Sequence, residues 1–277
     1  MEAALARKVD HLDIQVGGAK AERLLALDAR AREAGVTLVT DGGFHPGVPA
    51  AMVRHADERL GSLARAAVGS VIAVNWKRLR PLAESTVTEM MEEFREFRYE
   101  EYRSGRWVGA RRQPTFSFPA PFGPRKASAM GLAEMRQVTQ ALPELLDGGF
   151  YVGGFNPVVD YTIIPLAVIG MHLAPGRLAV PLGRLLHWGL LRFTRPPYGT
   201  MLQLEGNAAG RPPRVLMRIS HPDAYTVTAA PTVAAALQIL DGTAHVPGAH
   251  TQAMLVETTR FFADQARMGL TVEWLGG

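Results

Sequence analysis

Residues 36 to 53, VTLVTDGGFHPGVPAAMV, constrain this chain more than any other stretch. A β-branched apolar run predicts a strand. It meets a turn in which glycines and prolines surround one histidine, and a helical pattern follows. Upstream, HLDIQV reads as a short buried strand. The next stretch, KAERLLALDARAREAG, sets Ala21, Leu24, Leu25 and Ala31 on one helical face, with Gly35 as its stop. Strand, helix, strand and helix within about sixty residues imply a parallel sheet, because parallel neighbours need a long crossover. In open sheets of this kind ligands bind beyond the carboxyl ends of the strands. The turn 41–47 stands at such an end.

From Leu63 the pattern changes. LARAAVGSVIAVNW predicts a long strand, and a helix follows, capped by Ser85 with Glu89 and Glu92 in its early turns. The Arg-rich stretch 92–113 reads as solvated surface. PTFSFPAPFGP is too proline-rich for anything but loop or edge strand. GGFYVGGF reads as a strand, and 156–195 as two apolar helices broken at Pro175-Gly176. GTMLQLEG and RVLMRIS pair as antiparallel strands around NAAGRPP. In SHPDAY, His221, Pro222 and Asp223 fit a turn with a helix cap. The end returns to alternation: helix 231–241, helix 251–268 packed beside the first sheet, and the strand LTVEWL, with the last helix and strand rejoining the first unit.

Several function classes are excluded. With no cysteine, disulfides, thiolate zinc sites and a cysteine nucleophile are impossible, and a reducing compartment fits, so the expected location is cytoplasmic. The eight histidines form no H-x-x-x-H or H-E-x-x-H pair, so no metal site is expected. There is no G-x-S-x-G elbow. A net charge of +4 from 30 basic and 26 acidic residues, without a basic stripe interleaved with aromatics, gives no reason to expect a nucleic-acid partner. The uncharged run YTIIPLAVIGMHLAPG (161–176) is broken by prolines and falls short of the ~20 apolar residues a spanning helix needs. A buried helix is the preferred reading, over a segment lying on a membrane surface.

HLDIQVG, then AREAG, then VTLVTDGGFHPGVPAAMV resemble the second half of the nucleotide-binding domain in the saccharopine dehydrogenase-like family, where a Y-x-D strand leads to a second strand and a G-x-x-P-G turn. FPAPFGP, LAEM, FYVGGFN, SHPDAY and QILDGTAHVPG are similar to later family segments. The resemblance implies an α/β fold: a partial Rossmann-type parallel sheet plus an α+β domain with a largely antiparallel sheet. Residues 1–62 would be the second half of the nucleotide-binding domain, 63–228 a substrate and dimerisation domain, and 229–277 a return to the first. It also implies NAD or NADP as cofactor, a small-molecule substrate and a possible homodimer. The G-x-G-x-x-G phosphate turn of the family is not in the sequence. The expectation is therefore an N-terminally truncated member that binds the cofactor weakly, with an apolar strand edge left open at HLDIQV.

The resemblance places the turn near the nicotinamide and makes Asp13, Asp41, Gly42, Gly43, Phe44, Pro46 and Gly47 the cofactor-binding candidates. His45, where relatives carry an acidic residue, is the catalytic candidate. It is either a polar acid/base group beside nicotinamide or substrate, or a turn histidine capping the following helix. The turn is expected to line the main cleft, with the helix after Pro46 aiming its free amides inward. Asp13 either contacts the ligand or accepts backbone N–H bonds at a strand end. Glu134 is a candidate for the substrate cleft, against a plain surface-helix carboxylate. Asp160 interrupts an apolar helix and needs a partner (Arg177, Arg184 or Arg192) or the cleft. The functional expectation is NAD(P)-dependent hydride transfer on a small metabolite. The alternative is a non-catalytic binding module of the same fold, associated with a partner chain, a lipid or a membrane surface.

Overall fold

Crossover length settles the first layer. In the computed structural model, which describes residues 1–14, 18–78, 91 and 98–277, β1 (His11–Leu12) and β2 (Thr37–Thr40) are parallel neighbours, with Leu12 opposite Val39. After α1 (Glu2–Arg7), the crossover between them is two helices, α2 (Gly18–Leu25) and α3 (Asp28–Ala34), where the sequence read one. The break lets Asp28 accept the main-chain N–H of Ala249 at 3.0 Å. Ala249 belongs to the sheet's third strand, Gly248–Thr251, which runs parallel to β2 on its other side. Among the described residues β1 pairs on one side only, and its two-residue length keeps that edge short.

After the turn, α4 (Val48–Leu60) leaves this sheet and buries Met52 and Val53 against the second one. That sheet starts with β3 (Arg65–Ala73), shorter than its sequence pattern. The hairpin β4 (Glu100–Arg103) and β5 (Arg106–Gly109) occupies part of the stretch read as solvated surface, turning at Ser104 and Gly105, both at positive φ. β6 (Thr115–Ser117) and β7 (Pro124–Lys126) form a small separate hairpin from the proline-rich segment. β8 (Ser128–Met130), α5 (Ala133–Ala141) and β9 (Asp147–Val152) follow, and β9 lies parallel to β3. A wide π turn at 159–163 leads into α6 (Ile164–Leu173), which breaks at Ala174 before α7 (Pro175–Phe193). β10 (Gly199–Asn207) and β11 (Arg214–His221) pair antiparallel as expected. The helix cap expected of Ser85, Glu89 and Glu92 lies outside the described residues.

Asp223 caps α8 (Ala224–Leu240) by accepting the N–H of Thr226 at 2.7 Å, so this helix starts seven residues before its apolar pattern. The third parallel strand, Gly248–Thr251, is β12. The helix expected over 251–268 is two, α9 (Gln252–Leu255) and α10 (Thr258–Arg267), because Glu257 caps the second through the amides of Thr259 and Arg260. The last strand, β13 (Thr271–Trp274), corrects the expectation that it rejoins the first unit. It pairs with β11, and the large sheet runs β13-β11-β10-β3-β9-β4-β5, antiparallel except at β3–β9. α10 likewise packs Phe261 and Phe262 into the core that α4 shares with this sheet. Each such fully buried side chain stabilises by roughly 1.5–3 kcal/mol, so α4 ties the two sheets together. The fold is mixed α/β, with one parallel sheet and one largely antiparallel sheet.

Candidate functional site

The β2 ladder ends at Thr40, and the chain then takes conformations few side chains accept. Asp41 has φ 55°, Gly43 122° and Gly47 121°, and the His45–Pro46 peptide is cis. Aspartate and glycine are the types that tolerate such angles, so the TDGG spelling of the strand end is a backbone requirement. The turn is held by segments distant in sequence. Gly42 N donates to Asp13 O at 3.0 Å. Gln252 holds the backbone of one residue at both ends, accepting from Gly43 N at 3.2 Å and donating to Gly43 O at 3.3 Å. Gly47 N donates to Glu134 Oε2 at 2.8 Å. A methyl group added at Gly47 would stand 2.6 Å from both Gln252 Nε2 and Gly43 O.

Four titratable groups gather here. Asp41 is 3% exposed, and burial together with the charge of Asp13 pushes its carboxyl up to about 7. Asp13 is held by Thr40, whose hydroxyl donates to Oδ1 at 2.9 Å, and lies 3.3 Å from His11. Glu134 is completely buried, and burial first, then the charge of Asp41, raises it well above the carboxylate range. The amides of Gly47 and Ala50 pull the other way. His45 lies between Phe44 and Phe150, ring centres 5.1 and 5.4 Å away, and burial lowers its imidazole to about 4. It is therefore uncharged near neutral pH. Two buried atoms at this place, His45 Nε2 and Glu134 Oε1, have no hydrogen-bond partner. Such atoms are costly in a folded chain unless something binds them or the strain serves a purpose.

This arrangement revises the sequence reading at three points. Glu134 is no surface carboxylate: it sits under the N-terminus of α4 and takes the amides expected to face a ligand. His45 leaves that capping role to Glu134. Asp160, pushed up to about 6 by burial, finds its partners in main-chain amides, accepting from Phe155 N at 2.8 Å, where an arginine pair or the cleft was expected. A groove of about 630 Å³ is lined by Arg111, Arg112, Lys126 and Ser128, and the turn is not part of it. Asp13, Asp41, His45 and Glu134 are thus brought together, whereas Asp160 has no hydrogen bond to the turn among the described residues. Gln252 escaped the sequence reading altogether. It lies 209 positions from its partner and carries no local motif.

No family model matches the sequence, and no curated protein matches it. Solved structures do. The apo, histidine-tagged saccharopine dehydrogenase (L-Glu forming) from Saccharomyces cerevisiae superposes with a TM-score of 0.59 at 13% identity, covering 98% of this chain and 80% of that one. A meso-dapdh mutant with DAP from Clostridium tetani gives 0.38 at 11% identity, covering 94% of this chain and 73% of that one. The chain therefore shares the architecture of the yeast enzyme. Among the described residues no helix is long and apolar enough to cross a membrane, and no group of three His, Cys, Asp or Glu side chains could hold a metal ion.

Proposed function

We propose that this chain is an NAD(P)-dependent oxidoreductase of the saccharopine dehydrogenase kind, acting on a small metabolite. The observation that carries the reading is the buried cluster at the carboxyl end of β2, in which Asp41 is tuned to about 7 and His45 Nε2 has no partner. Near-neutral titration at a strand end is what proton transfer coupled to redox chemistry requires. The yeast architecture, extending over almost the whole chain, supports it. We keep the division into residues 1–62, 63–228 and 229–277 as part of the proposal, with β12 as the part of the last segment that returns to the first sheet.

The residues present fit the reacting end of a dinucleotide better than its phosphates. In the turn, the amides of Gly42, Gly43 and Gly47 are already committed to Asp13, Gln252 and Glu134, and the sequence holds no G-x-G-x-x-G. A bound nicotinamide would supply or accept the hydride. The chain's own contribution is then threefold. Neutral His45 offers Nε2 as a hydrogen-bond partner to substrate, Asp41 exchanges a proton near pH 7, and Phe44 and Phe150 keep water from the imidazole.

Backbone amide NMR with millimolar NADPH or NADH tests the reading. We expect weak binding, with shifts concentrated at Asp13 and residues 41–47. In an assay of 2-oxo acids with amino acids, followed by nicotinamide absorbance, His45→Ala should lower turnover about 100-fold with the thermal midpoint kept. No shift at the turn with either cofactor overturns the proposal, and unchanged turnover removes His45 from the site.

A further inference from the structure

The large sheet has two faces, and only one of them meets the turn. Phe150, against which His45 packs, and Tyr151 are successive residues of β9, so their side chains leave on opposite sides. Ala129 of β8 is the strand partner of Tyr151 and packs with it beside Phe116, in a core separate from the one that holds Phe44 and Phe150. Ala129 also lines the groove of about 630 Å³, with Tyr99, Arg111, Arg112, Lys126 and Ser128. The groove thus belongs with the side of the sheet opposite the turn.

Three of its lining residues are cations without a counter-charge. Among the described residues the side chains of Arg111, Arg112 and Lys126 make no ion pair and no hydrogen bond. From Tyr102 to Ala133 the sequence holds six basic residues and no aspartate or glutamate. The carboxylates of β4 are engaged elsewhere, Glu100 with Arg136 and Glu101 with Arg103 and Tyr151. The walls are tied together. Ala110 N donates to Tyr99 O at 2.9 Å, Ala127 N to Pro114 O at 2.9 Å, and Gln113 Nε2 to Ser128 Oγ at 2.8 Å. Like charges held around one concavity repel each other, and an anion entering it relieves that repulsion. Guanidinium groups meet phosphate oxygens with paired N–H donors. The volume lies within the roughly 300–1,000 Å³ of small-molecule sites and exceeds what a single phosphate fills.

We propose that this groove binds a small ligand through a di- or triphosphate group. The proposal goes beyond the oxidoreductase reading and does not rest on it.

Isothermal titration of the whole chain with ADP, tripolyphosphate, inorganic phosphate and adenosine tests it. ADP and tripolyphosphate should bind at least about tenfold more tightly than phosphate, adenosine should not bind, and added salt should weaken both complexes. Tighter binding of ADP than of pyrophosphate supports the proposal with a nucleotide as the source, and equal binding supports it with a bare polyphosphate. Arg112→Gln and Lys126→Gln should each weaken ADP about tenfold. Arg211→Gln, which removes a charge outside the groove, should leave the affinity unchanged. All three positions are exposed, and the thermal midpoint checks their fold. In amide NMR, ADP should shift residues 110–113 and 126–129, whether or not 41–47 respond to a nicotinamide cofactor. No shift in those two segments overturns the proposal, as does ADP binding no tighter than phosphate or unaltered by the two groove variants. A short single-stranded oligonucleotide that binds more than about tenfold tighter than tripolyphosphate overturns it too, since the groove is then part of a nucleic-acid surface.

Discussion

The turn at 40–47 and the hairpin at 164–193 invert the usual distribution of residue types. At the turn, polar groups are buried: Asp41 at 3% exposure and Glu134 at zero, beside an imidazole whose Nε2 has no partner. At the hairpin, large apolar groups are exposed, Leu173 at 79%. Each departs from the rule that apolar side chains go in and ionisable ones stay out. The difference between them is instructive. The turn is over-determined, with donors from Gly42, Gly43 and Gly47 each met by a different distant segment. Strained and desolvated groups persist only where the surroundings fix them so firmly. The outer apolar side chains of the hairpin have no such fixing contacts and stay open, with nothing from the described residues upon them.

Substitution sharpens the contrast. The largest effect is expected from Gly47→Ala, which adds a methyl 2.6 Å from Gln252 Nε2 and Gly43 O at a φ of 121°. Overpacking and backbone strain together should cost about 3–5 kcal/mol in chemical denaturation. A loss under 1 kcal/mol would mean the turn is far looser than its contacts imply.

Asp41→Asn comes next, because asparagine keeps the left-handed backbone and removes the charge. The native carboxyl, raised from an ordinary 3.8 to about 7, binds more protons than the unfolded chain between those values. Its favourable share is full below pH 3.8 and is lost as pH rises towards 7. His45 acts oppositely: lowered from 6.5 to about 4, it takes stability away as pH falls through that window. The two trends oppose each other in the parent. In Asp41→Asn the aspartate trend is gone while those of His45 and Glu134 remain, so the variant should gain on the order of 2 kcal/mol over the parent between about pH 4 and about pH 8. Parallel Tm profiles for both proteins would contradict this.

The smallest effect belongs to the hairpin. Ile169→Asp, on the open face of α6, should change stability by no more than about 0.5 kcal/mol. A cost above about 2 kcal/mol would show that the stripe is packed in solution and erase the contrast with the turn.

How much of this was readable beforehand differs by element. VTLVTD and HLDIQV announced parallel neighbours through β-branched runs and an intervening helix, and the pairing of Leu12 with Val39 agrees. The antiparallel pair at 199–207 and 214–221 followed from two strand patterns around one turn, and Asp223 from its place before a helix. These signals lie within a few residues of what they specify, in strand or helix period, in glycine at positive φ and in a short side chain at a cap. Other features had no local signal. Gln252 reaches Gly43 across 209 positions and Glu134 reaches Gly47 across 87. Nothing in LTVEWL separates a parallel neighbour for β2 from the antiparallel partner of β11 that it becomes. Residues 161–176 are apolar all round, so no period could say which side faces inward. The sequence by itself determined the elements, the turn and the residue types gathered in it. Only the tertiary structure decided which carboxylate lost its water and which apolar face stayed open. Burial and the electrostatics that follow from it depend on everything that surrounds a group, and a short stretch of chain carries only its own neighbours.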